Sequence, residues 1–137
     1  MNALLLVLAL GILVLLVYRV WEPFVNTPKQ EVPVGEANLY FFYTDWCGFS
    51  QKAMPEWEKL EQALQSTPIF GSTKVKAVRV NAEDGAGRKT AQLYEVHGFP
   101  SIKLETSSIL RDYEGKRTAS ALLQFLRETL GKERTSL

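Results

Sequence analysis

From residue 3 to residue 18 every position is apolar, with Gly11 as a backbone-permissive exception and the Tyr18 hydroxyl as a polar tip, and Val20 and Trp21 extend the run past Arg19. At ~1.5 Å per helical residue, residues 2–21 just cross a hydrocarbon core of ~30 Å. Tyr18, Arg19 and Trp21 form the aromatic and snorkelling set of a membrane boundary. The rival reading is a secretory signal peptide. The stretch ahead of the run has no lysine or arginine, and no Ala-x-Ala pattern follows it, so the pattern predicts a retained single-pass anchor over 1–21. Arg19 and Lys29 on the short flank lean toward a cytosol-facing body but leave the side of the membrane open.

Beyond the anchor, Pro23, Pro28 and Pro33 predict a stiff extended tether over 22–37. The run Leu39, Tyr40, Phe41, Phe42 and Tyr43 predicts a first strand, 38–44, covered on both faces. In 50–66, Ala53, Met54, Trp57, Leu60, Ala63 and Leu64 recur at helical spacing, with Pro55 inside the helix as a kink site. Strand patterns follow at 75–80 and 101–105, separated by a Gly85–Gly87 loop and a short helix over 88–94, and an edge hairpin strand is expected at 109–113. Thr118 or Ser120 can cap a last helix that ends at Gly131, and the polar tail 132–137 is expected to be loose. The order is that of an α/β sandwich with a mixed central sheet of about four strands. It forms one domain over 38–131.

Composition narrows the chemistry. Sixteen Lys and Arg against 15 Asp and Glu, with no basic stripe, argue against a nucleic-acid partner. One cysteine and one histidine make neither an internal disulfide nor a structural zinc site, and no Asp-x-Asp spacing is present, so no metal or cofactor is predicted. The cysteine stands in Trp46-Cys47-Gly48-Phe49-Ser50, between the first strand and the helix after it. At a helix N-terminus, unpaired amides and the helix dipole favour the thiolate, the nucleophilic form.

The chain resembles the thioredoxin superfamily, and within it the domains of protein disulfide isomerases and thioredoxin-related transmembrane proteins. The resemblance runs over about residues 38–130 and rests on Phe42-Tyr43, Trp46-Cys47-Gly48, Met54-Pro55-Glu56-Trp57, Gly98-Phe99-Pro100-Ser101-Ile102-Lys103 and the segment from Tyr113 to Ala119. It implies that Cys47 is the exposed attacking thiol and that Pro100 is a cis-proline packed against it. Phe99 and Pro100 would then help hold an extended client segment, with Trp46 as a platform beside the thiol.

Three positions depart from the family pattern. Ser50 replaces the resolving cysteine of a Cys-x-x-Cys pair, Phe41 stands at the place of the buried acid, and Asp45 stands where proline is usual. A carboxylate there is expected to oppose the thiolate. With one thiol, donation of a disulfide by the two-cysteine route is excluded.

Two readings follow. The first is a tethered binding or structural module in a membrane-associated assembly, with protein partners at a set distance from the bilayer, in an endomembrane or a virion inner membrane. Similar anchored thioredoxin-like proteins of large DNA viruses suggest the latter. The alternative is monothiol exchange with client thiols through Cys47, with Ser50 donating a hydrogen bond to the thiolate. His97 is a further candidate base, and its bland alternative is a solvated loop side chain.

Overall fold

The computed structural model describes residues 2–25 and 31–134, the side chains of 18–25 and 134 excepted. The chain divides into two units, Met1–Gln30 and Glu31–Leu137. The first contains helix α1, Ala3–Val25, whose described side chains are exposed. Among the described residues no helix is long and apolar enough to cross a membrane. The α1 side chains are described only as far as Val17, and ~15 helical residues span about 22 Å against a core of ~30 Å. The expected boundary set at Tyr18, Arg19 and Trp21 lies outside the described side chains.

The expected break at residue 22 is corrected, because α1 continues through Pro23 to Val25. Trp21, Phe24 and Val25 keep the i, i+3, i+4 apolar spacing, and one proline removes a single backbone bond. Positions 26–30 of the expected tether lie outside the described residues.

In the second unit, β1 (Glu36–Tyr43), α2 (Gly48–Ser66), β2 (Ile69–Phe70), β3 (Thr73–Asn81), α3 (Gly85–Leu93), β4 (Ser101–Thr106), β5 (Leu110–Asp112), α4 (Ala119–Leu130) and β6 (Glu133–Arg134) follow in order. Among the described residues the strands make a six-stranded mixed sheet, β5-β4-β1-β3-β2-β6. β1 is central, parallel to β3 and antiparallel to β4. Its alternate side chains feed two cores. Leu39 and Phe41 pack with Trp57, Leu60 and Leu64 of α2 and Leu122 and Leu126 of α4. Tyr40 and Phe42 pack on the opposite face with Val80, Ala82, Ala91 and Tyr94. Burial on both faces is why β1 reads as an unbroken apolar run.

The sheet exceeds the expected four strands through β2 and β6, and β6 takes up Glu133 and Arg134 of the tail that was expected to be loose. The link is a close approach of two glycines. Gly71 has φ +61°, Gly131 has φ +108°, and a Cβ on Gly71 would collide with the Leu130 carbonyl. The Gly71 N–H donates to the Lys132 carbonyl at 2.8 Å, and buried Phe70 fixes the corner. Residues 135–137 of the tail lie outside the described residues.

The α3 face also carries buried polar groups. Tyr94 donates its hydroxyl to Glu105 at 2.5 Å and meets the Tyr40 hydroxyl at 3.1 Å. Lys103 is buried beside Glu105 and forms an ion pair with Asp112 of β5.

Candidate functional site

β1 ends at Tyr43, and Thr44, Asp45 and Trp46 turn the chain into α2, so that Cys47 becomes the N-cap residue, in an extended conformation with φ −82° and ψ 114°. Its carbonyl accepts the first helical bond from the Gln51 N–H at 3.0 Å. The residue is only 9% exposed, which corrects the expectation of an exposed thiol: the turn and the loop entering β4 cover it. Its Sγ donates to the Phe99 carbonyl at 3.4 Å, which ties the start of α2 to the loop entering β4.

In that loop the Phe99–Pro100 bond is cis, as the resemblance implied, and the Arg117 guanidinium donates to the Pro100 carbonyl at 3.2 Å. Trp46 is 70% exposed, its ring edge-on to Phe99 with 6.5 Å between centroids. Phe49 is 72% exposed, with the Lys52 ammonium 6.0 Å from its ring centre. Two large aromatic side chains thus stand in solvent beside a nearly covered thiol.

The Cys47 thiol is held below its ordinary pKa, chiefly by the Ser50 backbone amide, with the Ser50 hydroxyl and the Phe49 amide acting in the same direction against the cost of burial. These are the free amides of the first turn of α2, the donors that a helix N-terminus leaves without internal partners. The expected opposition from Asp45 is not among the causes of this shift, which the first-turn donors of α2 decide. The net direction is downward, and the Asp45 carboxylate accepts from Asn81 Nδ2 at 3.1 Å.

Ser50 is 1% exposed, and its Oγ receives the Thr44 N–H at 3.5 Å. It occupies the interior position of the first turn, where a resolving thiol would sit. Phe41 is fully buried and stacks on Trp57 at 4.9 Å, so an aromatic pair fills the place where the family carries an acid. His97 is exposed, and among the described contacts the sulfur's partner is Phe99.

The structure therefore brings Trp46, Cys47, Ser50, Phe99 and Pro100 together and leaves His97 out. Sequence reasoning missed Phe49 as an exposed aromatic, the Phe99 carbonyl as the thiol's acceptor and Arg117 as the group on Pro100. Arg117 lies inside a quoted motif, so its place was legible but its partner was not.

The thioredoxin family model matches residues 21–128. The chain is 36% identical over 104 residues to the protein disulfide-isomerase erp38 of Neurospora crassa, covering 74% of this chain and 27% of that one. It is 37% identical over 116 residues to human protein disulfide-isomerase A6, covering 77% of this chain and 24% of that one. Among solved structures, human ERp44 in its form I superimposes with a TM-score of 0.61 at 27% identity, over 75% of this chain and 28% of that one. The chain thus spans about a quarter of the length of these relatives. By its matched family model, its sheet order and its cysteine at the β1–α2 turn, the chain belongs to the thioredoxin family, and its domain is of the protein disulfide-isomerase type.

Proposed function

We propose that the chain is a membrane-anchored protein that captures cysteine-bearing client proteins through Cys47 alone. The observation that carries this reading is the Cys47 thiol, seated at the N-terminus of α2 and shifted toward its thiolate by Ser50 and Phe49. The thiolate attacks one sulfur of a client disulfide, a Cys47–client disulfide forms, and the second client sulfur leaves as a thiolate. With Ser50 in the interior position this chain has no second thiol to resolve the adduct into a disulfide of its own. Release needs an external thiol, either another client cysteine, which gives isomerisation, or a small-molecule thiol. Neither route changes the net oxidation state of the protein.

The lifetime of that adduct joins the two readings of the sequence: a one-thiol exchanger without a resolving group is also a binding module. The exposed Trp46 and Phe49 supply apolar contact for a client segment beside the thiol. The relatives named as protein disulfide-isomerases support the client class.

Anchoring is supported by the apolar run of α1, whose described side chains carry no charge. Disulfide-bearing clients persist in oxidising compartments, which favours a lumenal body over the weak cytosolic lean of Arg19 and Lys29. The test has two arms. Full-length protein with Cys47 is expected to give client conjugates on non-reducing gels that vanish with reductant and with Cys47→Ser. Conjugates that survive Cys47→Ser would sink the exchange reading. The full chain is expected to sediment with phosphatidylcholine vesicles after a carbonate wash, and its extraction by carbonate would sink the anchor.

A further inference from the structure

The turn that carries Cys47 is stitched to a second loop by a set of bonds that the exchange chemistry does not use. The Asp45 N–H donates to a Glu83 carboxylate oxygen at 2.8 Å. Asn81 reaches both residues, its Nδ2 donating to Asp45 Oδ2 at 3.1 Å and its Oδ1 accepting the Glu83 N–H at 2.9 Å. Gln51 Nε2 donates to the Asp45 carbonyl at 2.6 Å, and Arg88 Nη2 donates to the Glu83 carbonyl at 3.1 Å. The Ala82 N–H donates to the Tyr43 carbonyl at 2.9 Å, so the backbones meet as well.

Sheet order gives the set a direction. β3 lies on one side of β1 and β4 on the other. Asn81, the last residue of β3, is the register partner of Tyr43, while Phe99 precedes β4, whose Ser101 pairs with Phe42. The Asp45 carboxylate is therefore drawn toward β3, and the Cys47 sulfur is drawn toward the Phe99 carbonyl on the β4 side. A carboxylate two residues from a nucleophilic thiol is adverse, because like charge disfavours the thiolate.

We propose that Asn81, steadied by Glu83, is a positioning residue for the thiol site, holding the Asp45 carboxylate on the β3 side of the turn. The proposal rests on the reading of Cys47 as the reactive group. Besides the Glu83 carboxylate on the Asp45 N–H, the titratable side chains on the neighbouring elements are Lys52 and Glu58 on α2, Arg88 on α3 and His97 ahead of β4. Among the described hydrogen bonds the Asp45 carboxylate is taken by Asn81.

The test is the pH profile of iodoacetamide alkylation of Cys47 in the full chain, for the parent, Asn81→Ala, Asp45→Asn and the double variant. Release of the carboxylate is expected to slow alkylation of Asn81→Ala about threefold at neutral pH and to move its profile to higher pH. Adding Asp45→Asn restores the parent rate, although the same bonds are still missing, and Asp45→Asn alone reacts at least as fast as the parent. A purely structural role for Asn81 predicts that the double variant stays as slow as Asn81→Ala, and that result overturns the proposal, as does an unchanged Asn81→Ala profile. Alkylation needs no client. A chain that shows this rescue yet forms no client conjugates refutes the proposed function and leaves the positioning role standing.

Discussion

Replacing Ser50 with cysteine asks whether the site is a redox motif with one half removed. Ser50 is 1% exposed in the first turn of α2, three residues after Cys47, and sulfur for oxygen is a small change of volume at an unstrained helical position. From helix rise and radius, Cα atoms three residues apart lie about 5 Å apart, inside the ~4.4–6.8 Å between Cα atoms that a disulfide requires. A thiol at residue 50 would therefore attack the Cys47–client disulfide from within the molecule. Well-placed intramolecular groups act at effective concentrations far above the millimolar range of a free thiol, so the adduct lifetime is expected to fall by about a hundredfold or more.

The electrons balance. Cys47 and the introduced thiol at residue 50 together lose two electrons and two protons as their disulfide forms, and the client disulfide becomes two thiols. The assay mixes reduced protein with a disulfide-linked peptide, quenches in acid at timed intervals and reads intact mass. The parent chain is expected to accumulate a peptide adduct. Ser50→Cys is expected to pass quickly to a species lighter than the reduced protein by two hydrogens, with free peptide thiol. A persistent adduct on Ser50→Cys, with residue 50 still reduced, would refute the placement of Ser50 at the resolving position.

Three further outcomes are expected. Alkylation of Cys47 rises with the thiolate fraction, and because the folded thiol is shifted downward, its rate should level off at lower pH than in urea-unfolded protein, with Ser50→Ala moving the profile back up. Trp57→Ala removes the partner of Phe41 from a side chain 1% exposed and is expected to cost about 3–5 kcal/mol in chemical denaturation, whereas a change below about 1 kcal/mol would contradict the packing. Tyr94→Phe deletes the hydroxyl that donates to Glu105 at 2.5 Å and is expected to cost about 1.5–3 kcal/mol with no effect on alkylation, and a stability equal to the parent's would show that the bond contributes nothing.

The elements with strong periodicity were legible because each reports its own burial. The apolar run of β1, the helical spacing of α2 and the Thr118 cap, whose hydroxyl accepts from Ala121 N–H at 3.3 Å, can all be read locally. The site was legible for the same reason, since the thiol, its helix and Pro100 sit in recognisable segments.

What escaped depends on contacts between distant segments. Two-residue β2 has no period to detect, and β6 exists because Gly71 and Gly131 let two chain segments approach. Lys103 and Glu105 alternate with Ile102 and Leu104, the mark of a solvated face, yet both are buried because Asp112 and Tyr94 reach them. Where the Asp45 carboxylate is held escapes a local reading because its partner, Asn81, lies 36 residues away.

The kinetics of Cys47 with a disulfide bear most directly on one-thiol capture. Full-length protein should be mixed with a disulfide-linked peptide at neutral pH, and the rate and fate of the adduct compared with those of the same chain unfolded in urea. One-thiol capture predicts faster reaction of the folded chain, one peptide per chain, and an adduct that persists until an external thiol is added. Capture no faster than in the unfolded chain, or an adduct that decays after the released peptide thiol has been removed and before any thiol is added, would contradict it.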